Sequence, residues 1–167
     1  MKKYLPALVA GFAAGVLHIV PIAKAFTCCL VVPGAAFIAI TLAAKSEKII
    51  GEFDLKRGAI LGVLTGVFAA LFGSFFDIFI TFVTKNNDLL NSFNQLSTML
   101  EAFPVPQEVK QEVISLIQNV ADSIKTNGFS LLYSLSVILN NLIVDIIFGL
   151  IGGLVGTKIF NSKNSGK

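Results

Sequence analysis

The sequence predicts an all-α integral membrane protein, a bundle of four transmembrane helices with an extramembrane amphipathic helical hairpin between the third and fourth spans. Hydrophobic residues make up 54% of the 167 residues and charged residues only 14%, whereas about a quarter of a soluble domain is charged. Mean hydropathy is +0.80 and the chain has fifteen Phe. This composition excludes a water-soluble fold, a disordered chain and a nucleic-acid-binding protein.

Four largely apolar runs that lack Lys and Arg and lie between basic residues are the predicted spans. A helix needs roughly 20 mostly apolar residues to cross about 30 Å of hydrocarbon. The runs cover residues 4–21, 25–44, 58–83 and 129–157. The first is at the short limit, and the last two are long enough to tilt. We therefore expect one membrane domain comprising residues 1–167.

Charge sets the expected orientation of these spans. Four spans place the amino terminus, the loop at 45–57 and the carboxyl terminus on one side of the membrane. That side has nine basic residues: Lys2, Lys3, Lys45, Lys48, Lys56, Arg57, Lys158, Lys163 and Lys167. The other side has four: Lys24, Lys85, Lys110 and Lys125. The positive-inside rule then predicts a protein of the cytoplasmic (inner) membrane with both termini in the cytoplasm.

The first span has an alternative interpretation. Met1-Lys2-Lys3, an apolar stretch and Ala23-Lys24-Ala25 follow the order of a secretory signal cleaved after Ala25. Gly11 and Gly15 favour a retained helix instead, because small residues at this spacing pack membrane helices together. In both cases the second span enters from outside and the chain ends in the cytoplasm.

The long polar interval after the third span has helical periodicity. Apolar residues at steps of three and four predict a helix over 88–103, capped by Asp88 and ended by Pro104, with Leu89, Phe93, Leu96, Leu100 and Phe103 on its apolar face. A second helix over 106–126 ends at Gly128 and has Val109, Val113, Leu116, Val120 and Ile124 on its apolar face. The two stripes either grip lipid or a partner, or simply cap the bundle. Residues 85–127 have a net charge of −2, so attraction to anionic lipid is not the main force.

Small residues recur on one face of three spans. They are Gly11 and Gly15 in the first span, Gly58, Gly62, Gly66 and Gly73 in the third, and Gly149, Gly152 and Gly156 in the fourth. Membrane helices associate through close backbone contact at such residues. We expect the stripes of the third and fourth spans to face each other.

Polar residues fall at one depth within the spans. A rise of 1.5 Å per residue places them roughly 20–28 Å above the cytoplasmic ends, in the outer half of the membrane. They are His18, Cys28, Cys29, Asp77, Asn140, Asn141 and Asp145. Asp77 is expected to meet Asn140 or Asn141. Such groups are costly in hydrocarbon unless they are paired, neutralised or hydrated.

This polar layer has three interpretations. It fixes helix register through hydrogen bonds, it handles protons or ions, or it binds a metal through His18, Cys28 or Cys29, Asp77 and Asn141. The sequence has none of the usual metal-binding or catalytic spacings, so we predict no metal, no cofactor and no enzyme. Pro33 cannot bond the Cys29 carbonyl and is expected to kink the second span.

The order of parts resembles a family of small, uncharacterised prokaryotic four-span membrane proteins, a domain of unknown function. The matching pieces are Ala10-Gly11 through Pro21, Thr27-Cys28-Cys29-Leu30, residues 56–66 (KRGAILGVLTG) and residues 147–156 (IFGLIGGLVG). The chain has Pro33-Gly34 where the family usually has a glycine pair. The resemblance implies the four-span architecture and supplies no site residues.

These observations favour a non-enzymatic membrane protein that binds a partner or lipid through its extracytoplasmic hairpin. The alternative is a subunit of an oligomeric transporter, proton or ion pathway, or pore. A glycine-packed monomer leaves no obvious aqueous path, so that alternative needs several copies or another subunit. The expected partners are membrane lipid and either further copies of the chain or another membrane protein, with no nucleic acid.

Overall fold

The computed structural model describes residues 3–20, 24–49 and 51–164. All regular elements in these ranges are helical. In chain order they are α1 (Leu5–Leu17), a π-helical turn (Thr27–Val31) that runs into α2 (Val32–Ser46), α3 (Leu55–Thr84), α4 (Asp88–Ala102), α5 (Gln107–Asn127) and α6 (Leu131–Asn164). Of the predicted signal and the ends of the first span, Met1, Lys2, Pro21 and Ala23 lie outside the described residues.

Three of the helical segments are long enough and apolar enough to cross a membrane. They are Thr27–Ser46 with 20 residues, Leu55–Thr84 with 30 and Leu131–Asn164 with 34. The predicted first span is represented by α1, whose 13 residues are fewer than the roughly 20 that a crossing needs. The chain is therefore all-α in its described part, with three helices of membrane-spanning length and composition.

The chain divides into two compact units. The bundle unit comprises residues 1–77 and 137–167, and so contains α1, the π-helical turn, α2, most of α3 and most of α6. The hairpin unit comprises Ile78–Ser136, with α4, α5, the last turns of α3 and the first turns of α6.

The π-helical turn precedes the proline of the second long helix. Val32 donates its N–H to the Thr27 carbonyl five residues earlier, which is the π register. Regular α-helix begins at Val32, and Pro33 occupies its first turn, where a missing N–H is least costly. The backbone thus changes register just before the proline.

Small side chains fill the interior of the bundle unit. One buried cluster contains Ala10, Ala14, Ala35, Ala39 and Ala69, together with Val32. Many large apolar side chains of the same helices, including Leu30, Ile38 and Leu71, are exposed. Ile40, Phe53 and Leu61 are buried in a second cluster, but many other large apolar side chains face outward, whereas a soluble core buries most of them.

The glycine stripes of α3 and α6 lie against each other. A Cβ added at Gly62 would come within 2.8 Å of the Gly153 Cα atom, and one at Gly149 would come within 3.1 Å of the Gly66 Cα atom. Real side chains essentially never make contacts below 3.0 Å, so the backbones meet at distances that require glycine. Gly58 likewise has no room for a Cβ, because the Thr157 side chain occupies that space.

The remaining stripe glycines bring α1 and α2 into the bundle unit. A Cβ on Gly11 would meet the Phe68 Cβ atom at 2.5 Å, and one on Gly15 would meet the Gly73 nitrogen at 3.0 Å, so α1 packs on α3. On α6, Gly152 lies against the Pro33 backbone and Gly156 lies 3.2 Å, by the same measure, from the Phe37 Cα atom of α2.

The connection between α2 and α3 is held by specific polar contacts. Asn161 of α6 accepts a hydrogen bond from the Phe53 N–H at 2.8 Å and donates one to the Phe53 carbonyl at 3.0 Å. The Asp54 carboxylate accepts from the Arg57 N–H at 3.0 Å and so caps α3. The Arg57 guanidinium donates to both carboxylate oxygens of Glu47, and these hydrogen bonds hold the pKa of that carboxyl below its ordinary value.

The hairpin unit has conventional helix ends. Asn87, rather than the predicted Asp88, caps α4, because its side-chain oxygen accepts from the Leu90 N–H at 3.0 Å while Asp88 lies in the first turn. Gly128 ends α5 in the left-handed conformation with φ of 73°. Its N–H bonds to the Ile124 carbonyl at 2.7 Å, in the manner typical of glycine caps.

Candidate functional site

A buried histidine and a buried aspartate meet inside the bundle unit. The His18 Nε2 atom lies 3.3 Å from the Asp145 Oδ2 atom, and the two side chains are only 10% and 2% exposed. The contact is not aligned as a hydrogen bond, and neither atom has a hydrogen-bonding partner elsewhere in residues 3–20, 24–49 and 51–164. Both atoms therefore keep unused capacity to bond a proton or a hydroxyl group.

Glycines create the space for this pair. His18 follows the last turn of α1, and its imidazole lies on Gly73 of α3, where an added Cβ would come within 2.9 Å of the ring Cγ atom. Gly66 lets α3 approach α6 at Asp145, since a Cβ there would lie 3.0 Å from the Ile146 Cα atom. The glycines that let the helices pack closely therefore also make room for His18 and Asp145.

A second polar contact joins α3 and α6 one turn away. The Asn141 side-chain amide donates to the Ser74 hydroxyl at 3.0 Å. Ser74 is 2% exposed and follows Gly73 directly in the chain. The prediction was that Asp77 meets Asn140 or Asn141, and the observed partner of the Asn141 amide lies one helical turn before Asp77. Asn140 is exposed.

Asp77 forms a more exposed ion pair. Its Oδ1 atom lies 3.4 Å from the Lys24 Nζ atom, and the two side chains are 22% and 44% exposed. The negative charge that the sequence placed in hydrocarbon thus has a cationic neighbour, which reduces the cost of keeping it ionised. The pair is more accessible to solvent or lipid headgroups than His18 and Asp145 are.

The cysteines do not join a metal-binding cluster. Both are free thiols, their sulfur atoms lie 3.4 Å apart, and Cys29 is exposed. Across the described ranges, no three His, Cys, Asp or Glu side chains converge on a point that could hold a metal ion. The structure therefore does not bring His18, the cysteines and Asp77 together as the metal hypothesis requires.

Two residues of the polar layer, Ser74 and Lys24, were not identified from the sequence. Ser74 lay within a glycine stripe and was not distinguished from its small neighbours, although its position next to Gly73 is the signal that could have found it. Lys24 was assigned to a loop because it bounds the second span. Its partner Asp77 could be found only once α3 and the segment before the π-helical turn were placed in three dimensions.

The arrangement is suited to holding a proton. An imidazole nitrogen and a carboxylate oxygen face each other at 3.3 Å in one buried site, so a proton on either group lies close to the other. The described part of the bundle unit contains no additional acidic or basic side chain within ion-pair distance of these two. Transfer of a proton between His18 and Asp145 would convert an ion pair into a neutral pair without changing the net charge.

Comparisons with protein-family models, with curated proteins and with solved structures found no match to the chain. The resemblance to a four-span family therefore stays a prediction that rests on the residues quoted above.

Proposed function

We propose that the chain is a four-span protein of the cytoplasmic membrane, with both termini in the cytoplasm, and that it acts without catalysis by binding a partner through α4 and α5. In this topology α1, extended by the residues that flank it, completes the first span. The positive-inside bias supports the orientation, and the three long apolar helices support residence in a membrane.

The exposed apolar tip of the hairpin carries this proposal. Where α4 ends and α5 begins, Met99 is 61% exposed, Phe103 57%, Val105 38% and Val109 45%. At the opposite end of α5, by contrast, Val120 and Ile124 are buried. Stripes that merely cap a bundle would be covered along their whole length. Contiguous apolar surface of this kind typically marks an interaction site.

The surrounding charge favours a protein over anionic lipid as the occupant of this tip. Glu108 and Glu112 are exposed on the first turns of α5, and residues 85–127 have a net charge of −2. Binding to anionic headgroups needs clusters of Lys and Arg. We therefore assign the tip to an apolar surface of a membrane protein, either a second copy of this chain or a different one.

Site-specific crosslinking tests this assignment. A photoreactive amino acid replaces Phe103 in cells, and the matched control carries it at Asn119, which is exposed on α5 but polar. The proposal expects a protein adduct at position 103 and none at position 119. An adduct of twice the chain mass identifies self-association. Equal adducts at both positions, or lipid adducts alone at position 103, would contradict a protein-binding tip.

The buried His18–Asp145 contact favours a second candidate function, proton or ion handling by an oligomer. A titratable pair that is 10% and 2% exposed within helices of membrane-spanning length is costly to retain for packing alone. Proteoliposome flux measured across a pH series, together with the mass of the particle in detergent, tests it. Flux that is abolished by Asp145→Asn while the fold is preserved supports transport, and a monomer without flux at any pH removes it.

A further inference from the structure

A groove runs along the outside of the bundle unit between α1 and α2. Its floor is made of small buried side chains, Ala10, Ala14 and Ala35, which are 4%, 1% and 7% exposed. Its walls are large exposed side chains, among them Val9 and Leu17 on α1, Leu30 in the π-helical turn, and Ile38 and Leu42 on α2. This floor-and-wall pattern gives a cavity of about 350 Å³ with an almost wholly apolar lining.

The groove widens into a mouth that carries the polar groups. A second cavity of about 700 Å³ shares Val9 and Leu42 with the first and adds Lys3, Ser46 and Glu47. Glu47 is already paired with Arg57, so its charge is largely compensated. Glu47 also attracts Lys3, so Lys3, Arg57 and Glu47 together leave one net positive charge at the mouth, and Lys45 and Lys48 are exposed beside Ser46. One end of the groove is cationic and the other apolar.

We propose that this groove binds one acyl chain of an anionic phospholipid, with the phosphate group at Lys3. From Leu5 to Leu17 the groove follows α1 for about 18 Å, since a helix rises 1.5 Å per residue. One leaflet of the hydrocarbon core is about 15 Å thick, so a single chain fits this length. The site lies on the bundle unit and does not depend on the hairpin proposal.

The narrow cross-section of the groove favours a hydrocarbon chain over a whole helix as the occupant. Spread over the roughly 12 Å between Val9 and Leu17, the 350 Å³ of the apolar section correspond to about 30 Å². A helix with its side chains is about 10 Å wide and needs about 80 Å². An extended hydrocarbon chain is the membrane component thin enough to enter, and a cationic mouth selects a negative headgroup.

Two substitutions separate the apolar and polar parts of the site. Gly34 lies in the groove, and a Cβ added there would meet no atom within 4 Å, so Gly34→Leu fills the groove without an internal clash. Ala13→Leu fills it from α1, where Ala13 is exposed, and serves as a second blocking variant. Lys3→Ala removes the charge at the mouth. Lys158→Ala, which removes another exposed lysine, is the control.

Native mass spectrometry of the purified full chain in detergent, with phosphatidylglycerol or phosphatidylcholine added, provides the measurement. We expect one retained phosphatidylglycerol per chain, loss of retention in both groove-filling variants, and about fivefold weaker retention in Lys3→Ala but not in Lys158→Ala. Circular dichroism establishes that each variant is folded. Equal retention of the two lipids by the wild type, unchanged retention in the folded groove-filling variants, or a dimer dissociated by them would overturn the proposal.

Discussion

The bundle unit and helix α5 of the hairpin unit expose opposite kinds of residue. In the bundle unit the interior consists mostly of alanine, glycine and a few polar groups, while leucine, isoleucine and phenylalanine side chains are exposed. In the hairpin unit α5 buries Val120 and Ile124 and exposes Glu112, Gln118 and Asp122, as an amphipathic helix in water does. The proposed topology accounts for this difference, because it places the bundle unit in hydrocarbon and α5 in water.

The contrast shows where each unit obtains its stability. Hydrocarbon surroundings supply no hydrophobic force between helices, so the bundle unit must gain from close backbone packing and interhelical polar contacts. In the aqueous surroundings that the proposed topology gives the hairpin unit, burying Val120 and Ile124 stabilises it through the hydrophobic effect. The two units should consequently be sensitive to opposite kinds of substitution. Larger side chains should destabilise the bundle unit, and smaller side chains should destabilise the hairpin unit.

Enlarging a glycine in the bundle unit should have the largest effect. Gly62→Leu forces a side chain into the backbone of α6 at Gly149 and Gly153, so we expect a loss of more than about 4 kcal/mol and failure of the bundle to assemble. Gly34→Ala is the control, because its Cβ meets no atom within 4 Å, and it should keep or slightly raise stability. Unfolding in mixed micelles measures both. Similar stabilities for the two variants would show that close packing at glycine does not stabilise the bundle unit.

Removing one member of the buried polar pair comes next. Asp145→Leu leaves the buried His18 without the carboxylate that faces it and should cost about 3 kcal/mol. The same change at Asp77 should cost less, since that carboxylate is 22% exposed and pairs with the still more exposed Lys24. A double variant, His18→Leu with Asp145→Leu, should recover part of the loss in a double-mutant cycle. Equal costs at both aspartates would show that burial does not distinguish them.

Truncation in the hairpin unit should be costly for the opposite reason. Ile124 is fully buried, so Ile124→Ala should cost about 2–3 kcal/mol through lost transfer energy and a residual cavity. Leu116→Ala on the same helix is the control, because Leu116 is 48% exposed. Hydrogen exchange of the α5 amides reports the loss locally. Unchanged protection in Ile124→Ala would mean that this unit is not held by burial.

Loss of the Asn161 bridge should have an intermediate effect. Asn161→Ala removes two hydrogen bonds to the Phe53 backbone and should cost about 2 kcal/mol. Asn161→Asp keeps the acceptor for the Phe53 N–H but loses the donor, so it should fall between alanine and the wild type. Protease sensitivity of the segment between α2 and α3 measures the change. If Asn161→Ala resists the protease as well as the wild type does, these two hydrogen bonds do not stabilise the segment.

The Glu47–Arg57 pair should give the smallest effect and a defined pH dependence. Because the folded-state pKa of Glu47 is lowered, its contribution is present above its unfolded pKa of about 4.3 and is lost as the pH falls through the folded value. Glu47→Gln should therefore be slightly less stable than the wild type at neutral pH and equal to it in strong acid. A difference that grows on acidification would reverse the sign and contradict the assignment.

Much of the architecture could be predicted from the periodicity of the apolar residues and the distribution of charge in the sequence. Helical segments occur where the long apolar runs and the 3-and-4 stripes were found, because those patterns reflect the surface that each helix must bury. The extent of α1 could not be obtained in this way. Its 13 residues end at Leu17, whereas an apolar count runs on to Pro21, because hydropathy does not register where backbone hydrogen bonding stops.

The polar layer was only partly accessible from sequence. Helical rise gave approximate depths for His18 and Asp145, but rise says nothing about which face of a helix meets which neighbour. The pairing depended on Gly73, whose missing side chain makes room for the imidazole. The prediction paired Asn141 with Asp77 from helical rise alone. The packing of the helices places the Asn141 amide one turn away, against Ser74.

The sidedness of the two units is the central claim of this account, and cysteine accessibility measures it most directly. In a background with Cys28→Ala and Cys29→Ala, a single cysteine is placed at Gln95 of α4 or at Glu52 before α3, both of which are exposed. We predict that a membrane-impermeant thiol reagent applied to intact spheroplasts labels Gln95→Cys, and that it labels Glu52→Cys only after lysis. Labelling of position 95 from the cytoplasmic side alone would contradict the four-span topology and the extracytoplasmic hairpin.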